Sequence, residues 1–416
     1  MQTFKFKMYL FRRHNAFQNL PTHVQELIFQ SLSGQDLLNC VGLCTTFYAM
    51  ISNKEYFTDK IVLKTGKEAF RDYDKFQEYL NKTPRTYKHL KIESEDFVSL
   101  DFRHDKFDWK SLQISRVGFT NEVYLFIDQF AESIEELEFH NIRKVFDINN
   151  LVHAPEYPKL RSFTSNCVGF TGSFITWLYR FRLRPITNLT IDYDAFKFDI
   201  FEEVNGSTLT ISNLRVTGVH NNYHITAVLN NFLVTQKDYL VELEMSQMNT
   251  KLLETVWNKL KIRKLTIGKR RHFDHHYKDE LALEVNSSIE ELVLQNEEFP
   301  SHILDSMFIF SSNLTILRAV SIDEESLLYT RLSLRNLKFL YLDEYVGDPN
   351  DDRFLKYFKN VNIKEIVTRA QHRMRMKKRW APQTAFELFK RKFVFYICID
   401  LFGGNPGTLY NPNIAT

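Results

Sequence analysis

An apolar triplet of the form L-x-x-L-x-L returns twelve times between residues 87 and 370, and no other feature restricts the fold of this chain as strongly. Taking the middle residue of each triplet as an anchor gives Leu90, Leu112, Leu137, Phe163, Leu189, Leu214, Leu243, Leu265, Leu292, Leu317, Leu340 and Ile366, at intervals of 22 to 29 residues. The residue three before each anchor is always apolar, and the residue two after is apolar everywhere except at Ser165 and Thr368. Thus 34 of 36 positions fit in a chain that is 44% apolar, which sets the pattern far from chance. Side chains alternate along a strand, so an anchor and the residue two beyond it point to the same side. Each unit therefore carries a short strand with one apolar face that it cannot cover alone, and successive units must stack to bury it. Apolar residues at helical spacing occupy the intervals at 123–130, 174–181, 225–233, 252–260, 303–308 and 354–358.

This strand-then-helix pattern resembles the leucine-rich-repeat family over residues 87–370. The resemblance implies an α/β chain whose larger part is a solenoid, a horseshoe of about twelve repeats. One departure implies irregular repeats: the family's Asn or Cys five residues past the anchor is replaced by Val117, Ile142, Val168, Val219 and Ile322. Without that polar ladder, the bends must satisfy their backbone groups in another way.

Ahead of the repeats, residues 17–57 follow a different rule. Val24, Leu27, Ile28 and Leu32 fall on one face of a helix opened by Pro21 and stopped by Ser33-Gly34. A second helix, with Asp36 as its cap, carries Leu37, Leu38, Val41, Cys44, Phe47, Tyr48 and Ile51 up to a break at Asn53. So short a segment cannot hide so many large apolar groups, and it needs a partner surface. Leu20-Pro21, Val24, Ile28, Leu32, Asp36-Leu37, Val41, Cys44, Phe47 and Phe57 stand where the F-box family places its motif, with Phe57 where many members have Trp. The segment resembles an F-box. The resemblance implies docking on the Skp adaptor of an SCF-type cullin–RING ubiquitin ligase through Leu20, Pro21, Val24, Ile28, Leu32, Leu37 and Val41. It also implies that the repeats bind a protein substrate. The expected organisation is a basic arm at 1–16, the helical F-box at 17–57, a linker or capping repeat at 58–86, repeats at 87–370, a basic cap at 371–402 and a disordered tail at 403–416.

Positions −1, +1 and +3 around each anchor should line the side of the strands opposite the core. None of these 24 positions is apolar in the first eight repeats. The last four repeats place Val293, Ile316, Val320, Phe339, Tyr341 and Val367 there, with Arg318 and Arg369 among them. Apolar and aromatic groups beside Arg are the composition of binding hot spots, and these eight residues are the substrate-contact candidates. Net charge is +3, yet residues 369–392 hold nine Lys or Arg against Glu387 alone, leaving the rest of the chain at −5. Lys378-Arg379 and Lys390-Arg391-Lys392 have the spacing of a bipartite nuclear import signal.

Catalytic chemistry finds little footing. There is no phosphate-cradling glycine loop, no nucleophile elbow and no CxxC pair. Cys40 and Cys44, one turn apart, read as core thiols. The imidazoles of His272, His275 and His276 beside Asp274 read as a solvated loop, because adjacent side chains point apart. No apolar run reaches the length of a membrane span, and no leader-like amino terminus is present. The expectation is a non-catalytic, cytoplasmic or nuclear protein without cofactor, metal, membrane or nucleic-acid partner. The rival reading is a ligase-independent leucine-rich-repeat scaffold, nuclear and associated with nucleic acid through residues 369–392.

Overall fold

The apolar triplets are taken up in order by the strands of one sheet. The computed structural model describes residues 20–65, 73–83, 85–93, 107–118, 120–142, 157–166, 186–192, 210–218, 223–246, 248–268, 281–295, 301–320, 322, 333–342 and 365–368. These fall into two compact units, the first holding the described residues up to Val62 with Thr83–Tyr87, the second holding Leu63–Lys82 and the described residues from Lys88 on.

In the first unit four helices follow one another: α1 (Thr22–Gln30), α2 (Gly34–Val41), α3 (Thr45–Ser52) and α4 (Glu55–Thr58). The second unit contains a 13-stranded sheet in which every strand lies beside its predecessor in the chain. The strands are β1 (Val62–Thr65), β2 (His89–Ile92), β3 (Ser111–Ser115), β4 (Glu136–His140), β5 (Ser162–Asn166), β6 (Ile186–Asp192), β7 (Ile211–Thr217), β8 (Glu242–Met245), β9 (Lys264–Ile267), β10 (Glu291–Leu294), β11 (Ile316–Ala319), β12 (Phe339–Leu342) and β13 (Glu365–Thr368). From β2 to β13 all pairings are parallel, and anchor stands opposite anchor without a break from Leu90 to Ile366. Every anchor whose side chain is described is buried.

Between strands lie α5 (Tyr73–Lys82), α6 (Asn121–Asp128), α7 (Tyr223–Thr235), α8 (Thr250–Lys259) and α9 (Ser301–Ile309). Thr120 and Asn249 cap α6 and α8, each accepting a backbone N–H three residues on. Leu252, Leu253, Val256 and Trp257 of α8 and Ile303, Leu304, Met307 and Phe308 of α9 show one burial pattern, i, i+1, i+4 and i+5, that of a helix laid on a sheet. The expected helices at 174–181 and 354–358, the arm at 1–16, the cap and tail beyond 370 and the His272–His276 cluster lie outside the described residues.

Two backbone ladders tie the repeats together at the ends of the strands. At the leading end, the carbonyl two before an anchor accepts N–H groups from the next repeat. Lys88 receives Lys110 and Ser111, Lys110 receives Glu135 and Glu136, and the same pattern continues to Thr315, which receives Lys338 and Phe339. At the trailing end, the residue four past the anchor has positive φ in all three repeats where it is described: Arg116 (60°), Asn141 (54°) and Gly218 (71°). Its N–H bonds the residue three past the next anchor, reaching the His140 carbonyl, the Asn166 Oδ1 and the Ser246 Oγ respectively. In these three repeats the ladder satisfies backbone N–H groups at the bends without an Asn or Cys five past the anchor. The position after it is free to be apolar, and Val117, Ile142 and Ile322 are buried there.

Three positions expected on the open side of the sheet are buried instead. Ser115 and Thr266 have 6% and 5% of their surface exposed, because small side chains sit below their longer neighbours. Gly268 lies against β8, where an added Cβ would come within 2.7 Å of the Ser246 Cα. Val367 pairs with Tyr341 in the backbone register, and Arg369 lies outside the described residues.

Among the described residues the sheet buries two hydroxyls without a hydrogen-bond partner, those of Thr65 on β1 and Ser165 on β5. Ser165 occupies a row filled in all the other strands from β2 to β12 by Ile, Phe, Val, Met, Leu and Ala, is fully buried, and its hydroxyl has no hydrogen-bond partner. Replacing Ser165 by Ala should stabilise the protein by about 1 kcal/mol, since an unsatisfied buried hydroxyl is removed; a lower midpoint in urea unfolding would contradict this. Asp128, at the C-terminal end of α6, accepts a 2.7 Å hydrogen bond from the Tyr157 hydroxyl, but burial outweighs it and pushes its carboxyl up to about 6. A raised acid favours folding while protonated, so its contribution is present near pH 4 and is lost as pH rises through 6. Asp128→Asn should therefore flatten the melting temperature between pH 4 and 7 and raise it at pH 7.

Candidate partner-docking site

The helical unit begins where Leu20 and Pro21 turn the chain into α1. The Pro21 carbonyl accepts the N–H groups of Val24 (2.8 Å) and Gln25 (3.1 Å), and the buried Gln25 amide donates to the Leu20 carbonyl at 2.8 Å. A side chain three residues into the helix thus fixes the Leu-Pro step that precedes it.

Ser33, not Asp36, caps α2. The Asp36 N–H donates to the Ser33 Oγ at 3.2 Å, and the Ser33 hydroxyl donates to the Asp36 carboxylate at 2.7 Å. Asp36 is the third-position partner of a reciprocal cap. The single helix expected up to Ile51 is two, because the Cys44 Sγ accepts the Phe47 N–H at 3.4 Å and starts α3 afresh after the turn at Gly42. Cys44 is therefore a capping group, while Cys40 is a core thiol, pushed by burial up to about 12 and so protonated at neutral pH. In the core, the Phe29 ring meets Phe47 and Phe57 edge-on at centroid distances of 5.2 and 5.9 Å. Leu37, Ile51 and Phe57 are fully buried.

α1 has two apolar stripes. Phe29 and, just past the helix, Leu32 are buried with the Gln25 stem. Val24 and Ile28 are half-buried, Leu27 has 61% of its surface exposed, Leu20 is half-buried and Pro21 is exposed. Of the seven residues expected to touch an adaptor, Leu20, Pro21, Val24, Ile28 and Val41 keep accessible surface. Leu32 and Leu37 do not; they hold the helices together. Leu27 takes their place on the open stripe. Sequence spacing had it on the apolar face but could not separate the inner stripe from the outer.

Polar contacts brace this arrangement. Lys54 pairs with Glu26, and that hydrogen bond holds the Glu26 carboxyl below its usual range. Arg85, 7% exposed, donates through Nε to the Ser52 hydroxyl (2.9 Å) and through Nη1 to the Tyr87 hydroxyl (3.3 Å), with its guanidinium carbon 5.3 Å from the centre of the Tyr48 ring. Among the described residues, dipoles and a ring face, not a carboxylate, hold this cation.

In the sheet unit, the substrate-contact candidates come together. Val293, Arg318 and Tyr341 stand opposite one another on β10, β11 and β12, and Ile316 stands opposite Phe339 one row away. Val293, Ile316, Val320, Phe339 and Tyr341 are half-buried and Arg318 is exposed. The Arg318 guanidinium lies 4.1 Å from the centre of the Tyr341 ring, and its Nε donates to Glu291 at 3.0 Å. Among the described residues no cluster of three or more His, Cys, Asp or Glu is placed to hold a metal, and no helix is long and apolar enough to cross a membrane.

Residues 17–59 match the F-box domain. No curated protein matches the chain.

Gly34 tests how tightly the helical unit is packed. A Cβ built on it would lie 1.7 Å from the Lys60 carbonyl oxygen, a backbone atom that cannot step aside. Helix propensity alone favours Gly34→Ala by about 1 kcal/mol. The clash should reverse that sign and cost about 1–3 kcal/mol, read as an earlier thermal transition.

Proposed function

We propose that this chain is the substrate-recognition subunit of an SCF-type cullin–RING ubiquitin ligase, its F-box docking on the Skp adaptor and its repeats holding a protein substrate. The observation that carries the reading is the open stripe of α1. One apolar side of the helix is covered from within, and the contiguous Leu20, Val24, Leu27 and Ile28 on the other form an accessible apolar stripe of the kind that partners cover. The F-box match at residues 17–59 supports a Skp-type adaptor as the partner that covers the other. Leu20, Pro21, Val24, Leu27, Ile28 and Val41 are its contact set.

The sheet supports the second half. Twelve parallel strands with one continuous anchor row are what a leucine-rich-repeat solenoid requires, and such a stack offers one long surface to a partner. Val293, Ile316, Arg318, Val320, Phe339 and Tyr341 are the residues on it best suited to bind a protein; Val367 and Arg369 remain candidates from the sequence alone. Catalysis by such a subunit is proximity: it holds a substrate near an enzyme carried elsewhere in the complex. No cofactor is needed, and cullin and RING subunits are reached only through the adaptor.

Leu27→Asp is the cleanest test, because a side chain with 61% of its surface exposed can be changed without disturbing the core. The variant should keep its melting temperature and bind the purified adaptor roughly 10- to 100-fold more weakly, since burial of a Leu contributes about 1.5–3 kcal/mol. Leu125→Asp, changed at a site equally exposed on α6, should bind normally. Equal adaptor binding by wild type and Leu27→Asp would end the docking assignment.

A further inference from the structure

The open side of the sheet sorts its charges in a way that the sequence does not show. Seven acids and four bases stand at the open-side positions whose side chains are described. All four bases are taken up by acids of the same face: Lys91 by Glu93 (2.7 Å), Arg215 by Glu244 (3.0 Å), Arg318 by Glu291 (3.0 Å) and Lys264 by Glu291 (3.8 Å). What remains is negative. Glu136 and Glu242 are exposed, and among the described residues their carboxylates have no ion-pair or hydrogen-bond partner. Glu138 is held in place by the Gln113 amide and the His140 imidazole, both at 2.9 Å. Arg318, stacked on Tyr341 and bonded to Glu291, is occupied and does not offer its charge to an incoming anion.

The apolar groups lie toward the other end. Ile316, Phe339 and Tyr341 occupy β11 and β12, and Glu242 lies on β8 in the same row as Ile316 and Phe339, four strands from Phe339. At about 4.8 Å per strand the span from Phe339 to Glu242 is roughly 19 Å, and to Glu136 on β4 roughly 38 Å. An extended chain advances about 3.3 Å per residue, so these spans correspond to about six and about twelve residues.

We propose that this face binds an extended, Lys- and Arg-rich segment of a partner protein, seated by an apolar side chain over Ile316, Phe339 and Tyr341, with cations about six residues away at Glu242 and about twelve away at Glu136 and Glu138. The proposal rests on the reading of the sheet as the partner-binding surface and adds the chemistry of the partner. The apolar end supplies affinity, and the uncompensated carboxylates supply steering and selectivity. A nucleic acid is repelled from the same surface.

Panning a phage library of random segments of about 16 residues on the immobilised full chain tests this. Enriched sequences should pair an aromatic or branched aliphatic residue with Lys or Arg displaced by about six positions. A selected peptide, synthesised and followed by fluorescence anisotropy, should bind the Glu136→Gln/Glu138→Gln/Glu242→Gln variant at least tenfold more weakly, with a shallower salt dependence. It should bind the Phe339→Ser/Tyr341→Ser variant not at all. Gln matches Glu in shape and the three sites are exposed or half-buried, so the charge variant keeps its melting temperature. Selection of acidic or uncharged peptides, or unchanged binding and salt dependence in the charge variant while the Phe339/Tyr341 variant still loses the peptide, overturns the charge proposal alone. A library without enrichment, or peptides indifferent to both variants, overturns the partner-binding reading of the face as well.

Discussion

The single register shared by β2 to β13 governs everything else in the sheet unit. Side chains on a strand have a period of two, so a slip of one residue would turn an anchor outward and bring an open-side residue inward, polar or charged in most strands. Leu90 to Ile366 remain opposite one another across eleven pairings although the interval between them varies from 22 to 29 residues. The variation is absorbed in the connections, not in the pairing. A fully buried Leu contributes roughly 1.5–3 kcal/mol relative to exposure, so one slipped repeat would forfeit several such terms and bury charges besides. That asymmetry makes one register win.

Register alone would leave the chain reversals with unsatisfied backbone groups, and the two ladders answer that need. The leading ladder uses only backbone, so it imposes nothing on sequence; Lys88, Lys110, Arg263 and Thr315 serve equally. The trailing one asks two things of the sequence: a residue that tolerates positive φ, and an acceptor three past the next anchor. Gly218 and Asn141 adopt the left-handed region at low cost. Arg116 does so as a non-Gly residue held by the His140 carbonyl. The acceptor varies between main chain and the side chains of Asn166 and Ser246. This freedom explains how the stack dispenses with a fixed polar residue in each bend.

Much of this was legible in advance, and the failures have physical causes. Anchors, strand order and the helices expected at 123–130, 225–233, 252–260 and 303–308, which lie at 121–128, 223–235, 250–259 and 301–309, follow from periodicity, because burial of one face is a strong and repetitive demand. The F-box segment could be located for the same reason. Its inner detail was not legible. Leu27 and Leu32 are both apolar and both on an apolar arc, and only the packing of Phe29 against Phe47 and Phe57 decides which of the two points inward. The start of α3 depends on Cys44 as an acceptor, a role for which thiols are weak and seldom expected. The trailing ladder links residues some 25 apart through a backbone angle, and no local pattern announces it. Arg318 was expected as a free binding group, but a guanidinium beside Glu291 and Tyr341 finds its partners on neighbouring strands, a pairing that only the register defines.

That last pairing shows how the same constraint reaches the surface. Strands in strict register place open-side residues in rows about 4.8 Å apart, within reach of any long side chain. Three of the four cations on such rows meet acids of a neighbouring strand, and Lys91 meets Glu93 of its own repeat; exposed pairs of this kind contribute little to stability, typically under about 1 kcal/mol. Their larger effect is on what the surface presents. Each pairing cancels a positive charge that could have repelled a basic partner, and each acid without a matching base keeps its full field. Glu136 and Glu242 are such acids because their row neighbours Ser111, Ser162 and Asn213 carry no charge and Lys264 turns to Glu291. The arrangement that buries the anchors thereby also decides which charges survive on the other side, so the negative character of the face follows from the register as directly as the core does.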